Sequence, residues 1–234
     1  MYIMSNLICL AGLSNSGKST SLRTLDPEST FIISCTNKQL QIPGFRKKYP
    51  KVAIRDKKLI GNWYIQNNYT KIENVLHMIS DSRPDIKVIV LDDINYLLSN
   101  ETFENATTKG YEKFTLMAKN YYDLLAECQL LRDDLTIVVI SHTENFGTDL
   151  DPQYRLWTTG KMLTNQINLD GMFSYIIYSE RIVDDVDGEV HYRFKTRTDG
   201  NDTCRSVAGC FDEKYIEPDM KLVIDTINAF ENED

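Results

Sequence analysis

The stretch "LICLAGLSNSGKSTSLRTL", residues 7 to 25, constrains this chain more than any other. An apolar segment stops at Gly12, passes through small polar residues and resumes with a helical pattern at Lys18. Residues 6 to 11 read as a buried strand, and residues 18 to 25 as a short helix closed by Asp26-Pro27. Glycine tolerates the backbone angles that let a loop turn its N–H groups inward, so Gly12 and Gly17 permit a concave, donor-lined turn between the two elements. The spacing G-x-x-x-x-G-K-S from Gly12 to Ser19 predicts an anion cradle built from Gly12, Leu13, Ser14, Asn15, Ser16, Gly17, Lys18, Ser19 and Thr20. In such a cradle the anion is a phosphate chain. Lys18 reaches the β- and γ-phosphates, and the Ser19 hydroxyl is placed to ligate Mg²⁺.

The rest of the chain supplies a matching frame. "TFIISC" (30 to 35), "KVIVLDD" (87 to 93) and "LTIVVIS" (135 to 141) are continuous apolar runs of the kind that form strands buried on both faces. Between the first two, Thr70 and Glu73 form a capping box for a helix with Ile72, Val75, Leu76 and Ile79 on one face. A second helix is expected over about 106 to 131, with Phe114, Met117, Tyr121, Leu124, Cys128 and Leu131 as its apolar stripe. Strands alternating with helices predict an α/β domain with a mainly parallel sheet. The last third changes character. A hairpin is expected around Asp187-Gly188, and a closing helix from Pro218 presents Met220, Val223, Ile224 and Ile227. The expected organisation is one domain over 1 to 234, with a core at about 6 to 180 and a C-terminal hairpin and helix at about 173 to 230.

Composition narrows the setting. No apolar run reaches the roughly 18 residues of a membrane span, and the first residues lack the basic and small-residue marks of a leader. Five scattered cysteines without a CxxC pair suit reduced thiols, so a cytoplasmic protein without a structural metal is expected. The net charge of −8 excludes a surface that is basic everywhere. It does not exclude a local basic groove. "FRKKYPKVAIRDKK", residues 45 to 58, carries seven Lys or Arg and one acid. With Phe45 and Tyr49 interleaved, Arg46, Lys47, Lys48 and Lys51 suit either a single-stranded nucleic-acid backbone with base stacking or a solvated loop.

Strand ends supply the remaining candidates. Asp92 closes an apolar strand and is the expected Mg²⁺ carboxylate, while Asp93 is either the base that polarises an attacking water or a loop anchor. No acid follows the second strand in "IISCTNK". His142, or Ser141 beside it, is the expected γ-phosphate sensor, since parallel strand ends converge on the ligand. In "RFKTR", Arg193, Lys195 and Arg197 alternate and would share one side of a strand.

Taken in order, "LICLAGLSNSGKST", "VIVLDDINYLL", "LRDDLTIVVISHTE", "TTGKML" and "TRTDGNDTCRSVAGCF" resemble the single-domain P-loop ATPases of bacteriophages, of the RecA-like/AAA type. The resemblance implies a RecA-like core, ATP and Mg²⁺ as cofactors, a homo-oligomer, and work on single-stranded DNA beside phage replication, annealing or recombination proteins. It also implies that Lys195 and Arg197 act as fingers on a neighbouring subunit's γ-phosphate, with Arg155 and Lys161 as weaker candidates. The chain departs from the RecA pattern in lacking the Glu after the second strand and in reading Asp92-Asp93 where Asp-Ser is usual. A small-molecule phosphotransferase of the nucleotide-kinase type and a non-hydrolysing, ATP-ordered assembly switch are the rival readings.

Overall fold

A computed structural model of the chain describes residues 5–55, 58–158, 168–184 and 188–232. Its centre is a sheet of β11-β10-β9-β1-β7-β6-β2-β5, with β8 pairing β7 off the main path. The parallel core consists of β1 (Asn6–Gly12), β2 (Thr30–Ser34), β5 (Trp63–Ile65), β6 (Val88–Asp92), β7 (Thr136–Asn145) and β9 (Tyr175–Val183). Antiparallel strands extend one edge: β10 (Val190–Lys195) and β11 (Tyr215–Ile216) continue the sheet beyond β9. Short strands β3 (Ala53–Arg55) and β4 (Lys58–Ile60) form a separate hairpin, and β8 (Tyr154–Leu156) lies against the end of β7. This is the α/β class that the sequence predicts, a mainly parallel sheet flanked by helices.

Alternation along the buried strands feeds two cores. Cys9, Phe31, Ile33, Ile89, Leu91, Ile137 and Val139 pack on one face against α3 (Tyr69–Ser82) and α5 (Glu112–Gln129). Ile8, Leu10, Ile32, Val90, Val138 and Ile140 pack on the other, against α6 (Met220–Glu231) and Leu22. Because both faces are covered, the central strands run apolar without a break between their polar ends. The cysteines are all buried and unpaired. Among the described residues, no helix is long and apolar enough to cross a membrane.

Several local expectations are corrected. The cap of α3 is Asn68, whose side chain accepts the Lys71 N–H at 3.1 Å; Thr70 already lies inside the helix. The helix expected over 106 to 131 is shorter, α5 at Glu112–Gln129, and an unexpected helix, α4 (Asn95–Glu104), precedes it, with Gly110 at φ +97° in the link between them. Asp219, not Pro218, sets the start of α6 by accepting the Leu222 N–H at 3.1 Å. Strand β7 does not stop at Ser141. It runs on to Asn145, because β8 pairs Thr143 with Leu156 and Glu144 with Arg155. Gly188 belongs to the connection between β9 and β10 as expected, whereas Asp187 lies outside the described residues.

Candidate functional site

The glycines at both ends of "GLSNSGKS" are fixed by space as well as by angle. A Cβ on Gly12 would lie 2.5 Å from the Ser179 carbonyl oxygen and 2.7 Å from Ser16 Oγ. Gly17 has φ +96°, and a Cβ there would lie 3.1 Å from Cδ1 of Tyr192. Between them Asn15 adopts φ +61°, a left-handed angle that asparagine tolerates better than most residues. The chain then enters α1 (Lys18–Ser21), with Ser21 N donating to Gly17 O at 3.0 Å.

Lys18 folds back over its own loop. Its Nζ donates to the carbonyls of Gly12 and Leu13, each at 2.8 Å, and the side chain is buried. Burial pulls Lys18 down to about 8, against the opposing pull of Asp93 and Asp92. The ammonium is thus held at the start of the loop, within electrostatic reach of the carboxylates at the end of β6.

The sheet order brings those carboxylates across. β7 lies between β1 and β6, with His142 in register with Gly12. Asp92 closes β6, is buried, and has an Oδ1 with no hydrogen-bond partner. Burial and the adjacent Asp93 push its carboxyl up to about 7, while Lys38 and Lys18 pull the other way. A buried carboxylate oxygen without a partner has the chemistry of a ligand to a hard divalent cation such as Mg²⁺, and Ser19 lines the phosphate-loop cavity with the neighbouring Asp93.

Asp93 turns out of the sheet at φ +57°, a strained angle for a residue other than glycine. His142 Nε2 lies 3.5 Å from Asp93 Oδ1. This contact holds the Asp93 carboxyl below the usual carboxylate range, against the effect of burial. Asp93 and His142 line one cavity of about 150 Å³ with the phosphate loop, Lys38 and Tyr96. Ser141 has a different task. Its buried hydroxyl donates to Asn95 Oδ1 at 3.2 Å, so of the two strand-end candidates it is His142 that faces the cavity.

Two residues of this site escape sequence reasoning. Asn95 opens α4, and its Oδ1 accepts the His142 N–H at 2.7 Å while its Nδ2 donates to the Trp157 carbonyl at 2.9 Å. Its only sequence signal is its place three residues after Asp92. Lys38 lies beyond β2 and lines the same cavity as Lys18, Asp93 and His142. Its sequence signal is a single Lys in "SCTNKQL".

The expected finger cations are not gathered on one exposed face. β10 ends at Lys195, so Arg197 lies beyond the strand, exposed, and donates to the Asp212 carbonyl at 3.0 Å. Lys195 is buried among acids of its own chain. It pairs with Asp202, with Asp199 at 2.9 Å and with Glu180 at 3.5 Å. Arg193 pairs with Glu180 at 2.8 Å and stacks over the Tyr215 ring at 3.4 Å. Arg155 pairs with Glu144 at 2.9 Å. Lys161 lies outside the described residues.

In the basic segment, Arg46, Lys47, Lys48 and Lys51 are exposed, the first three in the single turn α2 (Phe45–Lys48). The aromatic part of that reading is corrected. Phe45 and Tyr49 are core residues, their ring centroids 5.3 Å apart, with Trp63 edge-on to Phe45 at 5.0 Å. An amphipathic turn puts its rings inward and its cations outward, so neither ring is free to stack on a base.

No family model matches the chain, and no curated protein matches it. Among solved structures it is similar to the flagellar accessory protein FlaH from Methanocaldococcus jannaschii, at 16% sequence identity over 91% of this chain and 84% of that one, with a TM-score of 0.43.

Proposed function

We propose that this chain binds Mg·ATP in the Gly12–Ser19 loop and hydrolyses it. The observation that carries the reading is the arrangement around Lys18. A buried ammonium sits on the first carbonyls of a G-x-x-x-x-G-K-S loop, within electrostatic reach of Asp93 and of Asp92, a buried carboxylate with an unpartnered oxygen. Backbone amides of the loop would hold the phosphates, Lys18 would offset charge on the terminal ones, and Ser19 and Asp92 would hold the metal. When bound, Mg²⁺ would supply positive charge that offsets the charge of the transferring phosphoryl group. His142 and Lys38 line the same cavity and would meet the terminal phosphate, and Asp93 is the carboxylate that would polarise the attacking water. Steady-state phosphate release by the wild type beside Lys18→Ala tests this: turnover lost in the variant supports it, and equal turnover in both contradicts it.

The finer reading is an oligomeric ATPase acting on single-stranded DNA in phage recombination, annealing or replication. Its support is the exposed cations Arg46, Lys47, Lys48 and Lys51 together with the sequence resemblance, Arg197 being the exposed candidate for a subunit-bridging finger. Single-stranded DNA added to the turnover assay tests it, stimulation being the expected result.

One observation favours a second reading. Asp93 is engaged by His142, and the position after β2 carries Lys38 in place of an acid. A site so poor in free base suits a nucleotide switch, in which tight binding without turnover is the expected outcome.

A further inference from the structure

Two cavities border the phosphate loop on opposite flanks, and only one can take the nucleoside. The first, about 330 Å³, begins at Gly12 and Leu13 and extends between Tyr178, Lys195 and Asp202. The second, about 440 Å³, begins at Gly17 and Thr20 and extends past Arg23 to Tyr192 and Pro218. Lys18 decides between them. In this motif the lysine serves the β- and γ-phosphates and the loop amides cradle the α- and β-phosphates. Its Nζ rests on the carbonyls of Gly12 and Leu13, so the terminal phosphates belong to that end. Asp93 and His142 line the phosphate cavity, which shares Ser14 and Ser16 with the first cavity and the longer border of Asn15, Gly17, Thr20 and Gln41 with the second. The phosphate chain therefore runs from Gly12 toward Thr20 and leaves the loop at the second cavity.

The chemistry of the two walls agrees. Glu180, Asp199 and Asp202 line the first cavity against Arg181 and Lys195, and Lys195 is already held by the three acids. The second carries no carboxylate among its described lining residues and includes Arg23 and His191. It also holds an otherwise unexplained feature: Tyr192, 44% exposed, with Val190 beside it, 48% exposed. The Tyr192 ring borders the loop itself, since a Cβ on Gly17 would meet its Cδ1 at 3.1 Å. Among the described residues it stacks on no other ring. An exposed aromatic face beside the exit of a phosphate cradle is a platform for a planar base.

We propose that the base of the bound nucleotide stacks on Tyr192, so that β10 forms one wall of the nucleotide site. This rests on the Mg·ATP reading above and adds to it the residue that distinguishes a nucleotide from a bare polyphosphate. The test is calorimetric titration of the full chain with Mg·ATP and with magnesium tripolyphosphate, for the wild type, Tyr192→Ala and Tyr192→Phe. The expected result is tighter binding of ATP than of tripolyphosphate by the wild type. Tyr192→Ala should then lose roughly 5- to 100-fold in ATP affinity, the range that base–aromatic stacking supports. Its tripolyphosphate affinity should be unchanged, and Tyr192→Phe should retain wild-type affinity for both. Equal wild-type affinity for the two ligands overturns the platform while leaving the phosphate site standing. So does an ATP affinity that Tyr192→Ala leaves unchanged, or a variant that weakens both ligands alike. A wild type that binds neither ligand overturns the Mg·ATP reading and this one with it.

Discussion

Asn95 holds the backbone of His142: its side-chain oxygen accepts the His142 N–H at 2.7 Å, and its amide nitrogen reaches the Trp157 carbonyl at 2.9 Å. One buried amide thus ties the start of α4, the end of β7 and the chain beyond β8, and it fixes where His142 meets Asp93. Replacing Asn95 by alanine leaves a backbone donor and a carbonyl without partners, at a cost of about 1–3 kcal/mol for each buried group left unpaired. Asn95→Ala is expected to lower the midpoint of urea unfolding with an unchanged slope. Stability equal to wild type would show that water takes over both bonds.

Lys18 makes the opposite trade. Its ammonium is buried without a ligand and gains two carbonyl contacts, while burial opposes its charge. Lys18→Met should therefore leave the ligand-free melting temperature unchanged or higher, and abolish any rise produced by Mg·ATP. A clear loss of stability without ligand would mean that the lysine is structural.

Lys38 occupies the wall of the phosphate cavity and acts on Asp92, Asp93 and Lys18 together. A cation there distinguishes a ligand with a terminal phosphate from one without it. Lys38→Ala is expected to weaken ATP binding by about tenfold more than ADP binding, on the scale of one charge-assisted hydrogen bond. Equal weakening, or none, would place the side chain in solvent. Lys38→Arg should restore most of the preference.

The basic segment separates surface charge from core packing. Lys47→Glu, Lys48→Glu and Lys51→Glu together should remove salt-sensitive binding of single-stranded DNA and leave stability within about 1 kcal/mol, as surface substitutions generally do. Phe45→Ala should instead cost about 3–5 kcal/mol, because the ring is buried against Tyr49 and Trp63. DNA affinity unchanged by the charge reversals would end the assignment of this surface to DNA.

Much of the fold was legible because buried parallel strands are written as unbroken apolar runs, as in "LICLAG" and "VIVLDD". The loop was legible because its glycines are required by local space, at Gly12 against Ser179 and at Gly17 against Tyr192. Features that depend on distant partners were not. The burial of Lys195 follows from Asp199 and Asp202, which a strand-periodicity argument cannot see. The interleaving of Phe45 and Tyr49 with lysines looks the same for a stacking surface as for one amphipathic turn, and only the position of Trp63 decides. Helix α4 carries too weak an apolar stripe to announce itself, so Asn95 could not be assigned.

The central claim is that Lys18 and Asp92 together form a Mg·ATP site. Calorimetric titration of Mg·ATP into the wild type, Lys18→Met and Asp92→Asn tests it most directly. The account predicts one saturable site in the wild type, loss of at least tenfold in affinity for Lys18→Met, and an Asp92→Asn variant whose remaining affinity no longer depends on Mg²⁺. Wild-type protein that takes up no Mg·ATP, or Mg·ATP affinity equal in all three proteins, would contradict it.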